Sequence, residues 1–202
     1  MNTLKIYLGD LTYDTISLST EAFPLNIGYI AAYCKKLFGS DVDITLFKYI
    51  DDLETAIINS PPDILGLSNY AWNHSISLEM FKILKKENPI SICVMGGPNF
   101  PLDFHSQKSF LDRAPEVDIY VPIEGEVGFS NIIKKTLTAN SVNDIRNVVL
   151  SDPIDGCITR QINGEYKYSS NIEIRTKQLD EIPSPYLTGI LDKFFDGKLS
   201  PT

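Results

Sequence analysis

Three short runs in this sequence carry residue types suited to gripping a ligand. Ser68-Asn69-Tyr70-Ala71-Trp72-Asn73-His74 follows the apolar run Ile64-Leu65-Gly66-Leu67. Gly96-Gly97-Pro98-Asn99-Phe100-Pro101 follows Ser91 to Met95, and Glu124-Gly125-Glu126 follows Asp118 to Ile123. The chemistry on offer is recognition. A serine hydroxyl brings one donor and two lone pairs. Paired glycines let a bulky partner approach bare backbone, and Tyr70 and Trp72 present flat faces with a polar edge. Glu124 and Glu126 can take ligand amides, although the charge of Glu126 at a helix start is already accounted for by the helix dipole. No residue is assigned a catalytic role.

The elements that position these loops follow from periodicity. Leu4 to Leu8 is a first strand, followed by a polar loop from Gly9 to about Phe23. Pro24 then stands where a first-turn proline belongs. Ile27, Ile30, Ala31 and Cys34 mark a helix that ends near Gly39, a C-cap residue. Val42 to Phe47 is a second strand, and Leu53, Ile57 and Ile58 belong to a short helix. Ile64 to Leu67 is apolar throughout, as expected of a strand covered on both faces. Ile76, Met80, Phe81 and Leu84 form the next helix. Ser91 to Met95 is a fourth strand, a short helix surrounds Ser109 to Arg113, and Val117 to Val121 is a fifth strand. Val127, Ile132, Ile133 and Leu137 form the last helix. The class is α/β: a doubly wound, mainly parallel five-stranded sheet, flavodoxin-like or Rossmann-like. The order 2-1-3-4-5 places the ligand crevice over strands 1 and 3.

Residues 1–140 make up this α/β domain, and residues 141–202 differ in character. Val148-Val149-Leu150 reads as an edge strand. Asn163-Gly164 between Cys157–Ile162 and Glu165–Tyr168 is a hairpin signal. The rest reads as an extended linker, with a short helix near Gly189 to Phe195.

The net charge of −8 and the lack of a basic run with interleaved aromatics argue against a nucleic-acid surface. No stretch approaches the ~18 apolar residues of a membrane span. The N-terminal apolar run is too short for a signal peptide. Cys34, Cys93 and Cys157 lack metal-ligand spacing and fit buried thiols of a reduced, cytoplasmic protein.

Common tenants of the fold fail on residue type. A phosphoacceptor domain wants an aspartate ending the third strand and a lysine after the fifth, where Ser68 and Pro122 stand. A dinucleotide site wants G-x-G-x-x-G after the first strand, but no glycine follows Gly9 until Gly28. A flavodoxin cradles phosphate there; Ser17, Ser19 and Thr20 supply hydroxyls, but the loop lacks glycine.

The order of Pro24-Leu25-Asn26-Ile27-Gly28-Tyr29-Ile30-Ala31-Ala32-Tyr33, Ile64 to Ser68, Met95-Gly96-Gly97-Pro98, Asp118 through Glu126 and "LDEIPSPY" resembles the N-terminal cobalamin (B12)-binding domain of class B radical S-adenosylmethionine enzymes. The resemblance covers nearly all of the chain. It implies that Ser68 and Gly96-Gly97 line the path of the nucleotide tail, with Tyr70 where leucine is usual. It places Tyr13, Tyr70, Trp72, Pro98, Glu124 and Gly125 around the corrinoid. The cobalt-ligating Asp-x-His-x-x-Gly is replaced by Asp10-Leu11-Thr12-Tyr13-Asp14-Thr15. The implied corrinoid, methyl- or hydroxocobalamin, is therefore base-off and without a histidine ligand, with Tyr13 or a water near the metal and the Gly9 to Phe23 loop over its lower face. His74 reads as a polar residue in a helix-starting turn, and His105 has no assigned role.

Radical chemistry of that class needs a Cys-x-x-x-Cys-x-x-Cys run for a [4Fe-4S] cluster, which this sequence lacks. The cluster and S-adenosylmethionine are expected only in a downstream radical SAM barrel, the implied partner besides cobalamin. The chain is then expected to be part of a longer enzyme, or a stand-alone remnant, that presents cobalamin. Two rival readings stand: a degenerate domain that has lost the cofactor, favoured if Tyr70 blocks the tail's path, and a flavodoxin-like interaction module, with a homodimer as one arrangement, that uses the hairpin as its contact.

Overall fold

In the computed structural model, which describes residues 3–13 and 23–195, strands and helices alternate with the period expected of parallel crossovers. Strands β1 (Leu4–Thr12), β2 (Val42–Tyr49), β3 (Ile64–Ser68), β4 (Ile92–Gly96) and β5 (Ile119–Val121) run parallel in the order 2-1-3-4-5. The expected doubly wound class and strand order are both present. Side chains alternate between faces along each strand. Ile6, Leu8, Ile64, Val94 and Val121 pack beneath α1 (Leu25–Phe38) and α5 (Gly125–Thr136). Tyr7, Leu65, Leu67, Cys93, Met95 and Tyr120 pack against α2 (Ile50–Asn59), α3 (His74–Glu87) and α4 (Phe104–Asp112). All five residues of β3 are buried, which explains its unbroken apolar run.

The hairpin does more than expected. β6 (Ile158–Arg160) pairs antiparallel with β5, and β7 (Tyr166–Tyr168) pairs with β6, so the sheet has seven strands and is mixed. Gly164, at φ +86, makes the turn. The hairpin covers what would be an open edge of β5.

Two local readings are corrected. Val148-Val149-Leu150 is not an edge strand: Ile145–Val149 forms the short helix α6. Ile145 and Val149, four apart, share the face turned into the core. Arg146 on this helix donates to Asp118 at 2.7 Å. In turn, α4 begins at Phe104, well before Ser109, because Asp103 caps it by accepting from Ser106 N at 2.9 Å.

β1 runs past Leu8 to Thr12, and Gly9 still pairs with Phe47 and Leu67. Ser17, Ser19, Thr20 and most of the expected lower-face loop lie outside the described residues. The tail returns to the domain. Leu191 and Phe194 are buried in the α1 side of the core, and Lys193 Nζ donates to Leu46 O.

Candidate functional site

A cavity of about 310 Å³ opens at the carboxyl ends of β3, β4 and β5. α1 walls it with Asn26, Ile27 and Ile30, and α5 with Gly125, Glu126 and Phe129. Leu8, Gly66, Val94 and Val121 line its depth, and Ser68, Tyr70, Gly96, Gly97 and Pro98 its mouth. The crevice thus touches strands 1 and 3, over which it was expected, and extends across β4 to β5. At Gly66 a Cβ would come within 2.7 Å of Leu8 Cδ2 and 2.9 Å of Phe129 Cε2. The missing side chain leaves room for the Phe129 ring over the sheet, with the cavity beside it.

The mouth is rigid because two loops are tied into one. Asn69 N donates to Gly96 O at 2.6 Å, and Asn99 N donates to Asn69 O at 3.1 Å. The Asn69 amide donates to Asn99 O at 2.7 Å and to the Tyr120 hydroxyl at 2.9 Å. That hydroxyl donates to Gly97 O at 2.8 Å. Gly97 sits at φ +133, and a Cβ there would lie 2.7 Å from Asn69 O. Only glycine accepts both the conformation and the approach.

A second polar knot lies at the ends of β1 and β3. Ser68 Oγ donates to Asp10 Oδ1 at 2.5 Å and accepts from Asn73 Nδ2 at 2.9 Å. Burial pushes the Asp10 carboxyl above its ordinary range, and hydrogen bonds from Ser68 and Asn26 and the Lys48 charge pull partly against this. Burial raises Glu126 as well, with Glu124 adding to the effect.

Of the residues expected around a ligand, Ser68, Tyr70, Gly96, Gly97, Pro98 and Gly125 come together around this cavity. The other three stand apart from its lining. Trp72 is 56% exposed and stacks on Tyr70 with ring centroids 4.5 Å apart and planes 6° from parallel. Glu124 accepts from Thr176 N at 2.8 Å, fastening the linker. Tyr13 stands half-exposed just beyond the end of β1. His74 is committed: its Nδ1 lies 3.0 Å from Asn69 Oδ1, its ring packs on Phe110, and burial lowers its pKa. Among the described residues no cluster of three His, Cys, Asp or Glu could hold a metal ion.

Asp10, Asn69, Asn73 and Tyr120 were not singled out in the sequence. Asp10 had a usable signal, an acidic residue two positions beyond the apolar run Leu4 to Leu8. The arrangement is suited to a flat, largely apolar group with a polar edge, entering between α1 and α5.

Comparison with known proteins agrees. Residues 12–133 match the B12 binding domain family. The chain is 29% identical over 182 residues to 2-(S-pantetheinyl)-carbapenam-3-carboxylate methyltransferase of Streptantibioticus cattleyicolor, covering 88% of this chain and 25% of that enzyme. It is 30% identical over 131 residues to the cobalamin-dependent radical SAM methyltransferase TokK of Streptomyces tokunonensis, covering 65% of this chain and 17% of that one. The chain therefore spans a quarter or less of the curated relatives it matches. In fold it is similar to the cobalamin-dependent S-adenosylmethionine radical enzyme OxsB, whose structure holds aqua-cobalamin and S-adenosylmethionine. The TM-score is 0.63 at 18% identity, over 95% of this chain and 25% of that one. No described helix is long and apolar enough to cross a membrane. With its family match spanning more than half of its length, its seven-stranded mixed α/β sheet and its cavity at the strand ends, this chain belongs to the B12-binding domain family.

Proposed function

We propose that this domain binds a cobalamin, with the nucleotide tail inserted between α1 and α5 and the corrin resting on the loops at the strand ends. The carrying observation is the cavity itself: about 310 Å³, at the lower end of ligand-pocket volumes. That suits a flat bicyclic base and leaves a macrocycle outside. Its residues fit such a group. Gly66 makes room for the Phe129 ring, Phe129 and Ile30 give apolar walls, and Gly96-Gly97 presents bare backbone at the mouth.

Tyr70 supports binding over the degenerate alternative. It lies at the mouth stacked on Trp72, with its hydroxyl 3.4 Å from Asn26 Nδ2, and the cavity beneath remains open. The engaged state of His74 and the absence of histidine from the Asp10 loop support a corrinoid without a histidine ligand, and the room for the base in the cavity supports the base-off form. A bound cobalamin supplies a cobalt centre that carries a one-carbon group. The residues of this chain bind, orient and shield it. By analogy with the relatives, the exposed corrin face would be presented to a downstream radical SAM domain in the same polypeptide, where the cluster and S-adenosylmethionine would reside.

Equilibrium dialysis of the 202-residue chain against hydroxocobalamin tests this reading. Near-equimolar retention with a base-off visible spectrum is expected. A folded chain that retains none refutes it.

A further inference from the structure

The helix α1 is occupied on two sides. Asn26, Ile27 and Ile30 face the cavity. At about 100° per residue, Gly28 lies about 150° round the helix from the centre of those three. The returning tail seats there: a Cβ on Gly28 would lie 3.1 Å from Leu191 Cδ2 and 3.2 Å from Pro185 Cβ. Leu191 is fully buried in this notch and joins the same core cluster as Ile27.

This wall needs holding from outside. α1 begins at Pro24 with no side-chain cap and no acidic residue in its first turn. Gly28 weakens the next turn relative to alanine. The tail supplies the missing support at both ends of the helix. The Phe23 ring, which leads into α1, packs on Phe195 and Tyr186 with centroids 4.7 Å and 6.1 Å away. Lys36 Nζ, in the last turn, donates to Glu181 O at 2.7 Å. The tail is anchored in turn to the edge strand β2, where Lys193 Nζ donates to Leu46 O and stands 4.9 Å from the centre of the Phe47 ring.

We propose that residues 179–195 are a latch on the cavity wall, with Leu191 as its positioning residue. Seated in the Gly28 notch, Leu191 holds α1 against α5 and so sets how long the cavity keeps its occupant. The inference rests on the cobalamin reading above for the identity of that occupant. No tail residue lines the cavity, so the effect passes through α1. Release of the tail lets the first two turns of α1 fray and opens the cavity along its length. The coupling is reciprocal: a ligand that needs α1 in place must also hold the tail down.

The test compares the wild-type chain with Leu191→Ala, with the milder Lys193→Met, and with Asp118→Ala, which loosens the fold away from the cavity. Amide hydrogen exchange over residues 25–33 is followed without ligand, and the dissociation rate of hydroxocobalamin is measured by chase, all under conditions where each variant is folded. Leu191→Ala should speed both exchange and dissociation by at least about tenfold. Lys193→Met should speed dissociation by about two- to fivefold, and Asp118→Ala should leave it unchanged. Bound hydroxocobalamin should in turn slow exchange across the tail of the wild type.

If hydroxocobalamin leaves Leu191→Ala and Lys193→Met no faster than Asp118→Ala, the latch is refuted while the cobalamin reading stands. If exchange in α1 responds to Leu191→Ala but the wild type retains no hydroxocobalamin, the cobalamin reading falls and the hold of the tail on the wall stands.

Discussion

Asn69 and Tyr120, 51 residues apart, meet through a 2.9 Å hydrogen bond in which the amide donates to the phenol. The phenol passes the link on to Gly97 O. The loop after β3 is thereby locked to the loop after β4 through a side chain of β5. Asn69 is fully buried and the Tyr120 ring stacks on Phe100 with centroids 3.9 Å apart.

Replacing Asn69 with alanine should strand several buried polar partners at once. A destabilisation of about 2–4 kcal/mol is expected from such orphaned groups. Urea unfolding measures it. A Tyr120→Phe substitution removes only the hydroxyl and should cost less, about 1–2 kcal/mol.

Gly97 and Gly164 both have positive φ, yet alanine should affect them unequally. At Gly97 a Cβ meets the Asn69 carbonyl at 2.7 Å, whereas at Gly164 it meets nothing within 4 Å. Gly164→Ala should cost about 1 kcal/mol through backbone conformation alone. Gly97→Ala should cost about 2–4 kcal/mol and displace the Asn69 loop. Thermal unfolding of the two variants side by side gives the comparison.

Ile30 lines the cavity from α1 without being fully buried. Ile30→Phe should fill part of it, with helical content kept in circular dichroism. Hydroxocobalamin affinity should fall by at least about tenfold, while cobinamide affinity changes much less. Equal losses for both ligands would place the tail elsewhere.

Glu126 carries a stability signature. Its folded-state pKa is raised by burial and by Glu124, so the folded chain holds the proton more tightly than the unfolded chain. Stability from this group then declines as pH rises from its unfolded value through its raised folded value. Glu126→Gln should raise the melting temperature at neutral pH, with the difference from wild type shrinking on acidification below the ordinary glutamate range.

The buried carboxylate of Asp118 accepts from Lys85 Nζ at 2.6 Å, from Arg146 at 2.7 Å and from Cys93 N at 2.9 Å. This cluster ties β4, α3 and α6 together away from the cavity. Asp118→Ala should destabilise by about 3–5 kcal/mol, because two cations and an amide lose their acceptor. Chemical denaturation measures the loss.

Much of the fold was legible because its cues are local. The unbroken apolar run of β3, the Asn163-Gly164 turn and the helical spacing from Ile27 to Cys34 each lie within a few residues. Val148-Val149-Leu150 misled because a short apolar run suits strand and helix equally, and the deciding contact, Arg146 with Asp118, spans 28 residues. Ser68 and Gly96-Gly97 could be picked out by type and position at strand ends. Asp10 could not be paired with Ser68, since the two are 58 residues apart and meet only when β1 and β3 lie side by side. The crevice over β1 and β3 followed from the strand order, but its extension to β5 did not, since its walls, α1 and α5, are distant in sequence.

The central claim, a corrinoid held with its base withdrawn from cobalt into the α1–α5 cavity, is tested most directly by electron paramagnetic resonance of cob(II)alamin bound to the chain. Free cob(II)alamin at neutral pH shows nitrogen superhyperfine splitting from its coordinated base. Loss of that splitting on binding, with no new nitrogen coupling, is the predicted result. Persistent nitrogen splitting in the bound species would mean that the base, or a histidine, still ligates cobalt, and would contradict the account.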